Sequence, residues 1–599
     1  MKRLLTIFAA GGVLAFCGCS LLNPDDNTPH PTQQALSGTI SQPTSWSDSN
    51  ATYHITGHLD VQSTLTIGRK AQVLVDQNVA IDVNTNGSLI IHEGAVLRFN
   101  SGAYIEVGYS STGSLQAVGS DSLPVWFTAA QTGQYWGYDG TTKGGILIYE
   151  NTTANATMQY CIVEKATAGI YVDEVKPVIS NCKIRNCQKN GVYFSGAASP
   201  KDSASFLNDT ISSCGEYPIY ISSQGAGNLS GSGLFSQNAA GKDAIYIKGS
   251  DVTSACIWKK HTVPYILSGQ TDVGDPAGVT LTIRPGVVCK FEQDAYIQVG
   301  YSSTATLIAQ GTVQDSIRFV NAVAATKWGY DGTGKGGILL YPSSTLNTSL
   351  KYCVIDSATQ GVYCDAKVEI SNSSFRNNTA CGIFFDSDGT PKDSASFLNN
   401  VATGNGDYGV RLEATYLTNL SGTGSFVGNA KGGFLVHGND VAVSGRWKKH
   451  DAPYVVAGQV DVFAASGVTI TIQPGARFEL LAEAYFQVGY NGPATVIANG
   501  AQTDSIVFTS SIPGTYWGYD GTSKGGWYIG EQATTLTALT YCVVEKATSG
   551  FYIEAPITIN NCSIRNNRDY GIEYGKTGLA ANISNNSITG NGTGPTVGP

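Results

Sequence analysis

Acidic, basic and aromatic side chains recur at fixed spacing in three near-identical stretches of the chain. The first reads YWGYDGTTKGG and occupies residues 135–145, and close copies occupy residues 327–337 and 516–526. Such a set could hold a sugar, because an aromatic face stacks on a sugar ring while charged groups fix its hydroxyls. The predicted binding residues are Trp136, Tyr138, Asp139, Lys143, Trp328, Tyr330, Asp331, Lys335, Trp517, Tyr519, Asp520 and Lys524.

An acid and an arginine follow each stretch and extend the predicted glycan-binding strip. They are separated by 21, 20 and 20 residues in the three copies. In a coiled structure with about 20 residues in each turn, every acid would lie beside its arginine on the next turn. The six residues are Glu164, Arg185, Asp356, Arg376, Glu545 and Arg565.

A structural interpretation competes with glycan binding. Asp-Gly marks a turn, so each stretch could be a loop between two strands, with its Trp packed over the edge of a coil. The acid and the arginine could form a surface salt bridge of small energetic weight. Asp139 with nearby carbonyls could bind calcium, but one carboxylate in each loop is too few to predict a site, and we expect no cofactor.

Catalysis requires more than this strip supplies. A glycosidase needs two carboxylates at a defined separation, and three equivalent active sites along one chain would be unusual. Repetition favours avidity, length or scaffolding instead. We therefore predict no catalytic residue, although the lysines and arginines leave polysaccharide lyase chemistry open. The seven histidines are scattered and no pair of CxxC motifs is present, so we predict no metal site.

Self-similarity at two periods indicates what positions these residues. Trp136, Trp328 and Trp517 are 192 and 189 residues apart, and the copies align almost without gaps. We therefore divide the chain into unit 1 (41–257), unit 2 (258–446) and a shortened unit 3 (447–599). Unit 1 carries a surplus of 20 residues before the repeated stretch, which is the length expected for one added turn of a solenoid.

Alternation within the short repeats predicts strands. In the stretch CKIR, Cys182 and Ile184 face inward while Lys183 and Arg185 face outward. The stretches at 179–192, 370–383 and 559–572 resemble right-handed β-helix repeats of the pectate-lyase-like superfamily. The resemblance implies an all-β, right-handed parallel β-helix of about 25 coils over most of residues 40–590. The Trp-x-Asp-His stretch of pectate lyases and the Gly-His-Gly stretch of polygalacturonases are not found in this chain.

Cysteines and asparagines in these repeats are predicted to be structural. Cys161–Cys182 and Cys542–Cys562 could form disulfides in an exported chain. Unit 2 has Ser373 at the second position of the pair, so reduced cysteines stacked inside the coil are the favoured interpretation. Turn signals place asparagines at the corners of the coil. These are Asn181, Asn372 and Asn561.

The first residues resemble a bacterial lipoprotein signal. Two basic residues precede a short apolar run, and Gly18 precedes Cys19, the predicted site of acylation. An ordinary cleaved secretory signal is the alternative. Residues 20–40 are polar and contain proline, so we expect a flexible tether. The chain has a formal net charge of −9 and shows no basic stripe, which argues against nucleic acid as its main partner.

These observations predict a lipid-anchored protein of the bacterial outer membrane or cell surface that presents an extended β-helix. We expect a non-catalytic role in glycan binding, adhesion or structure, with a membrane and a surface polysaccharide as partners. A polysaccharide lyase or a glycoside hydrolase is the alternative.

Overall fold

Short strands coil into a right-handed parallel β-helix of about 23 turns, close to the predicted number. The structure is a computed structural model that describes residues 35–140, 143–153, 156–332, 335–520 and 525–598. The predicted signal, Cys19 and most of the tether lie outside these residues, as does Lys524. None of the helices in the described part of the chain is long and apolar enough to cross a membrane.

Each turn contributes strands to three faces, which we name A, B and C. After Leu36–Ile40, which pairs with the strand Thr52–Val61, face A comprises Thr52–Val61 (its first half), Gln72–Val75, Val96–Phe99, Val125–Ala129, Cys161–Glu164, Lys183–Arg185, Thr210–Ser212, Leu234–Ser236, Tyr265–Ser268, Val288–Phe291, Ile317–Asn321, Cys353–Asp356, Ser374–Arg376, Asn400–Thr403, Gly424–Ser425, Tyr454–Ala457, Arg477–Leu480, Ile506–Ser510, Cys542–Glu545, Ser563–Arg565 and Ser587–Thr589.

Face B follows face A across a corner of the coil. It comprises the second half of Thr52–Val61, then Ala80–Val83, Tyr104–Val107, Ile146–Ile148, Ile170–Asp173, Val192–Ser195, Ile219–Ser222, Ile245–Lys248, Asp251–Val252, Gln270–Val273, Tyr296–Val299, Ile338–Leu340, Val362–Cys364, Ile383–Phe385, Tyr408–Glu413, Gly432–His437, Asp440–Val441, Gln459–Val462, Tyr485–Val488, Trp527–Ile529, Phe551–Ile553, Tyr570–Tyr574 and Gly594–Val597.

Face C closes the turn. It comprises Thr44–Trp46, Thr64–Ile67, Gly87–His92, Gly113–Val118, Thr157–Gln159, Val178–Ser180, Cys256–Trp258, Val279–Ile283, Ala305–Gln310, Ser349–Lys351, Lys367–Ser371, Thr390–Pro391, Gly445–Trp447, Val468–Ile472, Ala494–Asn499, Ala538–Thr540, Thr558–Asn560 and Ile583–Ser584. Short 3-10 helices occupy Ser203–Ser205, Gly225–Asn228, Ser394–Ser396, Ala414–Asn419 and Leu579–Asn582.

The units stack directly on one another, with a shift of one face at each junction. The face B strand Ile245–Lys248 of unit 1 pairs with the first face A strand of unit 2, Tyr265–Ser268. Gly432–His437 pairs with Tyr454–Ala457 in the same way at the second junction. Hydrogen-bonded sheets therefore run across both junctions, and the described units form one rod.

The added turn predicted for unit 1 is present. Ala80–Val83 lies between Thr52–Val61 and Tyr104–Val107 on face B and pairs with both. In unit 2, Gln270–Val273 pairs directly with Tyr296–Val299. The extra turn fits without disturbing its neighbours because each turn of a solenoid contacts only the turns next to it.

Alternation along the strands fills a continuous apolar core. In Lys183–Arg185 the central Ile184 is buried while its neighbours face solvent, as predicted. The corners follow the prediction too: Asn181, Asn372 and Asn561 adopt left-handed backbone with φ of 55°, 51° and 55°. Asparagine tolerates this conformation better than most residues.

All eleven cysteines in the described part of the chain are free and buried, as the favoured interpretation predicted. The Cys542 backbone N–H donates to Cys562 Sγ across 3.4 Å. At the same place in unit 2, the Cys353 N–H donates to Ser373 Oγ across 3.1 Å. Serine can replace the second cysteine because both side chains accept the same backbone hydrogen bond.

Two buried histidines mark the junctions between units. Neither ring nitrogen of His261 or His450 has a hydrogen-bond partner, and aromatic rings such as Phe235 and Phe434 surround them. Burial lowers the pKa of each imidazole to about 4; at His450 the charge of Asp451 opposes the shift, and a nearby lysine adds to it in both cases.

We expect these histidines to make the rod sensitive to acid. Their folded-state pKa lies below the ordinary value of 6.5, so their contribution to stability is complete above pH 6.5 and is lost as the pH falls towards 4. Urea unfolding midpoints at pH 7.5, 5.5 and 4.5 measure this loss. The double variant His261→Leu/His450→Leu should flatten the acid side of the profile, and an unchanged profile would contradict the assignment.

Candidate functional site

The tryptophan of each repeated stretch belongs to the core. Trp136, Trp328 and Trp517 are each 0% exposed, and their indole N–H groups donate to the backbone carbonyls of the following acids across 2.8 Å. Phe99 stacks on Trp136 with ring centroids 4.1 Å apart. The structure therefore corrects the predicted binding strip, because a buried ring cannot stack on a sugar.

Glycines in the stretch make room for the tryptophan. A Cβ added to Gly145 would lie 2.7 Å from the Trp136 ring, closer than any side chain tolerates. Gly137 has φ of +109°, a backbone conformation that other residues rarely adopt. The aromatic and glycine positions of the repeated stretch thus close the corner between faces A and B.

The Tyr and Asp of the stretch remain at the surface of this corner. Tyr138 packs edge-on against Tyr104, with ring centroids 5.6 Å apart; Tyr330 and Tyr519 contact the equivalent tyrosines of their units, with ring centroids 5.4 Å apart. The three aspartates are exposed, namely Asp139, Asp331 and Asp520. Asp520 pairs with Arg568 across 2.8 Å.

The acids and arginines meet on face A, as their spacing predicted. The pairs Glu164–Arg185, Asp356–Arg376 and Glu545–Arg565 each have an N–O distance of 2.8 Å. Although burial opposes it, hydrogen bonds and the arginine charge lower the pKa of both Asp356 and Glu545. Each carboxylate is therefore already occupied by a neighbouring side chain.

We expect the arginine of unit 1 to matter most for stability. The Glu164 side chain is 6% exposed, against 18% for Asp356, so removal of the arginine leaves a more deeply buried charge in unit 1. Arg185→Ala should lower the free energy of unfolding by about 1–3 kcal/mol, and Arg376→Ala by less. Equilibrium urea unfolding of both variants tests the order, and a larger loss for Arg376→Ala would contradict it.

The lysine of the stretch lies on the other side of the corner, over face B. Lys143 Nζ donates to the Tyr149 hydroxyl across 2.9 Å and lies 4.6 Å from the centre of that ring. Lys335 lies 4.9 Å from the Tyr341 ring in unit 2. The predicted strip is therefore divided between two faces, with lysine and arginine apart.

In each unit an exposed tyrosine contacts the tyrosine that follows the repeated stretch. The sequence pattern did not single out this exposed tyrosine as a binding residue. Tyr109, Tyr301 and Tyr490 occupy equivalent positions and are 58%, 61% and 52% exposed. Tyr109 contacts Tyr149, with ring centroids 4.9 Å apart. The signal was available in the sequence, since each of these tyrosines follows a Val-Gly pair in all three units. We name Tyr109, Tyr301 and Tyr490 the exposed tyrosines.

A column of carboxylates lies on the same face near the start of unit 1. Asp60 pairs in register with Asp82, which pairs with Glu106 on the next turn. Burial, and then the charge of Asp82, raises the pKa of Glu106 to about 7, while Lys143 opposes the shift. Among the described residues, no group of three or more acidic, histidine or cysteine side chains is arranged to hold a metal ion.

Unit 2 carries an acidic cluster on face B. The Tyr363 hydroxyl donates to Asp386 across 2.7 Å, and the Tyr416 hydroxyl donates to Asp388 across 3.2 Å. Burial raises the pKa of Glu413; a hydrogen bond with Asn439 opposes the shift, and the charges of the two aspartates add to it. The cluster comprises Asp365, Asp386, Asp388 and Glu413.

Fold and site together define a right-handed parallel β-helix protein. Residues 138–263 match the family described as right handed beta helix region. No curated protein and no solved structure matches the chain. The match supports the fold.

Proposed function

We propose that this chain is a lipid-anchored rod of the bacterial cell envelope that binds surface polysaccharide without cleaving it. Cys19 would carry the lipid, and the tether would set the rod away from the outer membrane. The exposed tyrosines carry the proposal, because each unit presents one at the same place.

The surroundings of the exposed tyrosines suit a sugar ring. Tyr109 has one open side, and Lys143 lies nearby on Tyr149, so an apolar ring and a hydrogen-bond donor are adjacent. Unit 2 repeats the arrangement with Tyr301, Tyr341 and Lys335. Equivalent sites along one rigid rod would bind a polymer with avidity, since the second contact is intramolecular.

The test is a polysaccharide pull-down with residues 28–599. Tyr109→Ala/Tyr301→Ala/Tyr490→Ala should weaken retention at least about tenfold, far more than any single change, because avidity is lost. Tyr135→Ala/Tyr516→Ala is the matched control, since these tyrosines are 41% and 43% exposed but do not recur in unit 2. Retention unchanged in the triple variant would contradict the proposal.

The acidic cluster of unit 2 favours the second candidate, a glycoside hydrolase. A carboxyl group with a raised pKa can act as a general acid beside an ionised carboxylate. Glu413 would supply the acid, and Asp386 or Asp388 the base. Such an enzyme would release new reducing ends from a polysaccharide that it binds.

A further inference from the structure

A cleft runs around the corner between faces B and C at the end of unit 1. Two adjoining cavities of about 620 and 270 Å³ form it, and they share Gly196, Ser222 and Ser250 in their walls. The larger cavity lies in the range of volumes that holds small ligands or a few units of a polymer.

Three lysines give the cleft a positive rim. Lys176, Lys201 and Lys248 line it and are exposed, and none of them forms an ion pair in the described part of the chain. Two carboxylates lie nearby: Asp251 lines the cleft, and Glu174 accepts the Ala197 backbone N–H across 3.1 Å. Cations without protein partners are available to an anionic ligand.

Hydroxyl, amide and aromatic groups line the remaining walls. Tyr193 and Tyr220 stack with ring centroids 4.3 Å apart and planes inclined by 8°, so they present ring edges and hydroxyls to the cleft. Ser222 and Ser250 add hydroxyls along its length. Many neutral hydrogen-bonding groups among a few cations suit a ligand that carries hydroxyls as well as acidic groups.

We propose that this cleft binds the acidic sugars of a linear polysaccharide, through carboxylate or sulfate groups held by Lys176, Lys201 and Lys248. The inference rests on the proposed polysaccharide binding and adds the chemical class of the ligand. A nucleic acid is disfavoured because the chain carries a net charge of −9 and the stacked rings offer no free face for a base.

Unit 2 provides an internal comparison. Where unit 1 has Ser195, Ala197 and Ser222, unit 2 has Asp386, Asp388 and Glu413. Lys248 is replaced by His437. The equivalent surface of unit 2 would therefore repel an acidic chain, which makes the cleft a feature of unit 1.

Charge-matched variants of the full-length chain test the cleft. Lys176→Gln/Lys201→Gln removes two charges from it, while Lys367→Gln/Lys392→Gln removes the two equivalent lysines of unit 2. Binding of polygalacturonate, dextran sulfate, neutral dextran and single-stranded DNA is measured at 100 mM salt, with circular dichroism as a check on folding. Polygalacturonate reports carboxylate recognition, and dextran sulfate reports sulfate recognition.

We expect the unit 1 variant to lose about tenfold in affinity for one or both acidic polysaccharides, and the unit 2 variant to stay within twofold of wild type. Equal losses in both variants, no loss in either, or tighter binding of DNA would overturn the inference. Binding of neutral dextran alone would overturn the proposal that the cleft binds acidic sugars, while leaving the proposed polysaccharide binding intact. Binding of no polysaccharide would overturn both.

Discussion

Replacing Trp136 by alanine is expected to lower the free energy of unfolding by about 3–5 kcal/mol. The ring is fully buried, stacks on Phe99 and donates its N–H to the Glu164 carbonyl. Truncation leaves a cavity at the corner of the coil and an unpaired carbonyl, and both effects destabilise.

Urea unfolding measures this loss, with the midpoint of the first transition as the readout because a long rod need not unfold in one step. Trp328→Ala should behave similarly, since that ring is also buried against a phenylalanine, Phe291. Tyr135→Ala is the control, because this neighbour is 41% exposed. If Trp136→Ala kept wild-type stability but bound polysaccharide more weakly, Trp136 would be a binding residue and not a core residue.

Replacing Asp209 by asparagine is expected to stabilise unit 1 by about 1–3 kcal/mol at pH 7. Asp209 is fully buried, and its Oδ1 accepts the Cys182 N–H across 2.9 Å while its Oδ2 has no partner. Unit 2 has Asn400 at this position, and its amide donates to the Ile370 carbonyl across 2.7 Å. The substitution supplies the donor that the aspartate lacks.

The effect should depend on pH in a defined direction. Burial first, and then Cys182, raises the pKa of Asp209 well above its ordinary value of 3.8. Because the folded-state pKa is the higher one, the contribution of Asp209 to stability is complete below about pH 4 and is lost as the pH rises. Asp209→Asn should therefore gain most at neutral pH and little at pH 4.

Asn400→Asp is the reciprocal variant. It places a buried acid in unit 2, so it should destabilise the rod at pH 7 and much less at pH 4. Thermal unfolding of both variants at the two pH values checks the pair. Identical pH profiles for the wild type and both variants would contradict the account of Asp209.

The fold could be predicted because the sequence shows both the long repeat of the units and the short repeat of the coil. Alternation placed Ile184 inside and Arg185 outside, and the 20-residue surplus gave the added turn. The Glu164–Arg185 contact followed from the same periods, since both residues lie in regular strands on adjacent turns. For residues in paired strands, the spacing along the sequence determines which residues lie next to each other on adjacent turns.

Loop residues could not be placed in this way. Trp136 lies between strands, where alternation does not apply, and its partner Phe99 belongs to an earlier turn. Lys143 lies past the corner of the coil and contacts Tyr149 on face B, whereas Glu164 lies on face A. The number of residues between them therefore did not show that they lie on different faces. The cleft of unit 1 escaped prediction because its walls come from loops of several turns.

The most direct test of non-catalytic binding is a search for turnover of any polysaccharide that the chain retains. The full-length chain and its Glu413→Gln variant are incubated with that polysaccharide, and new reducing ends and the absorbance of unsaturated products are followed over hours. We expect both proteins to bind the polysaccharide and neither to release product. Product from the wild type that disappears in Glu413→Gln would contradict the non-catalytic function and assign the acidic cluster of unit 2 as an active site.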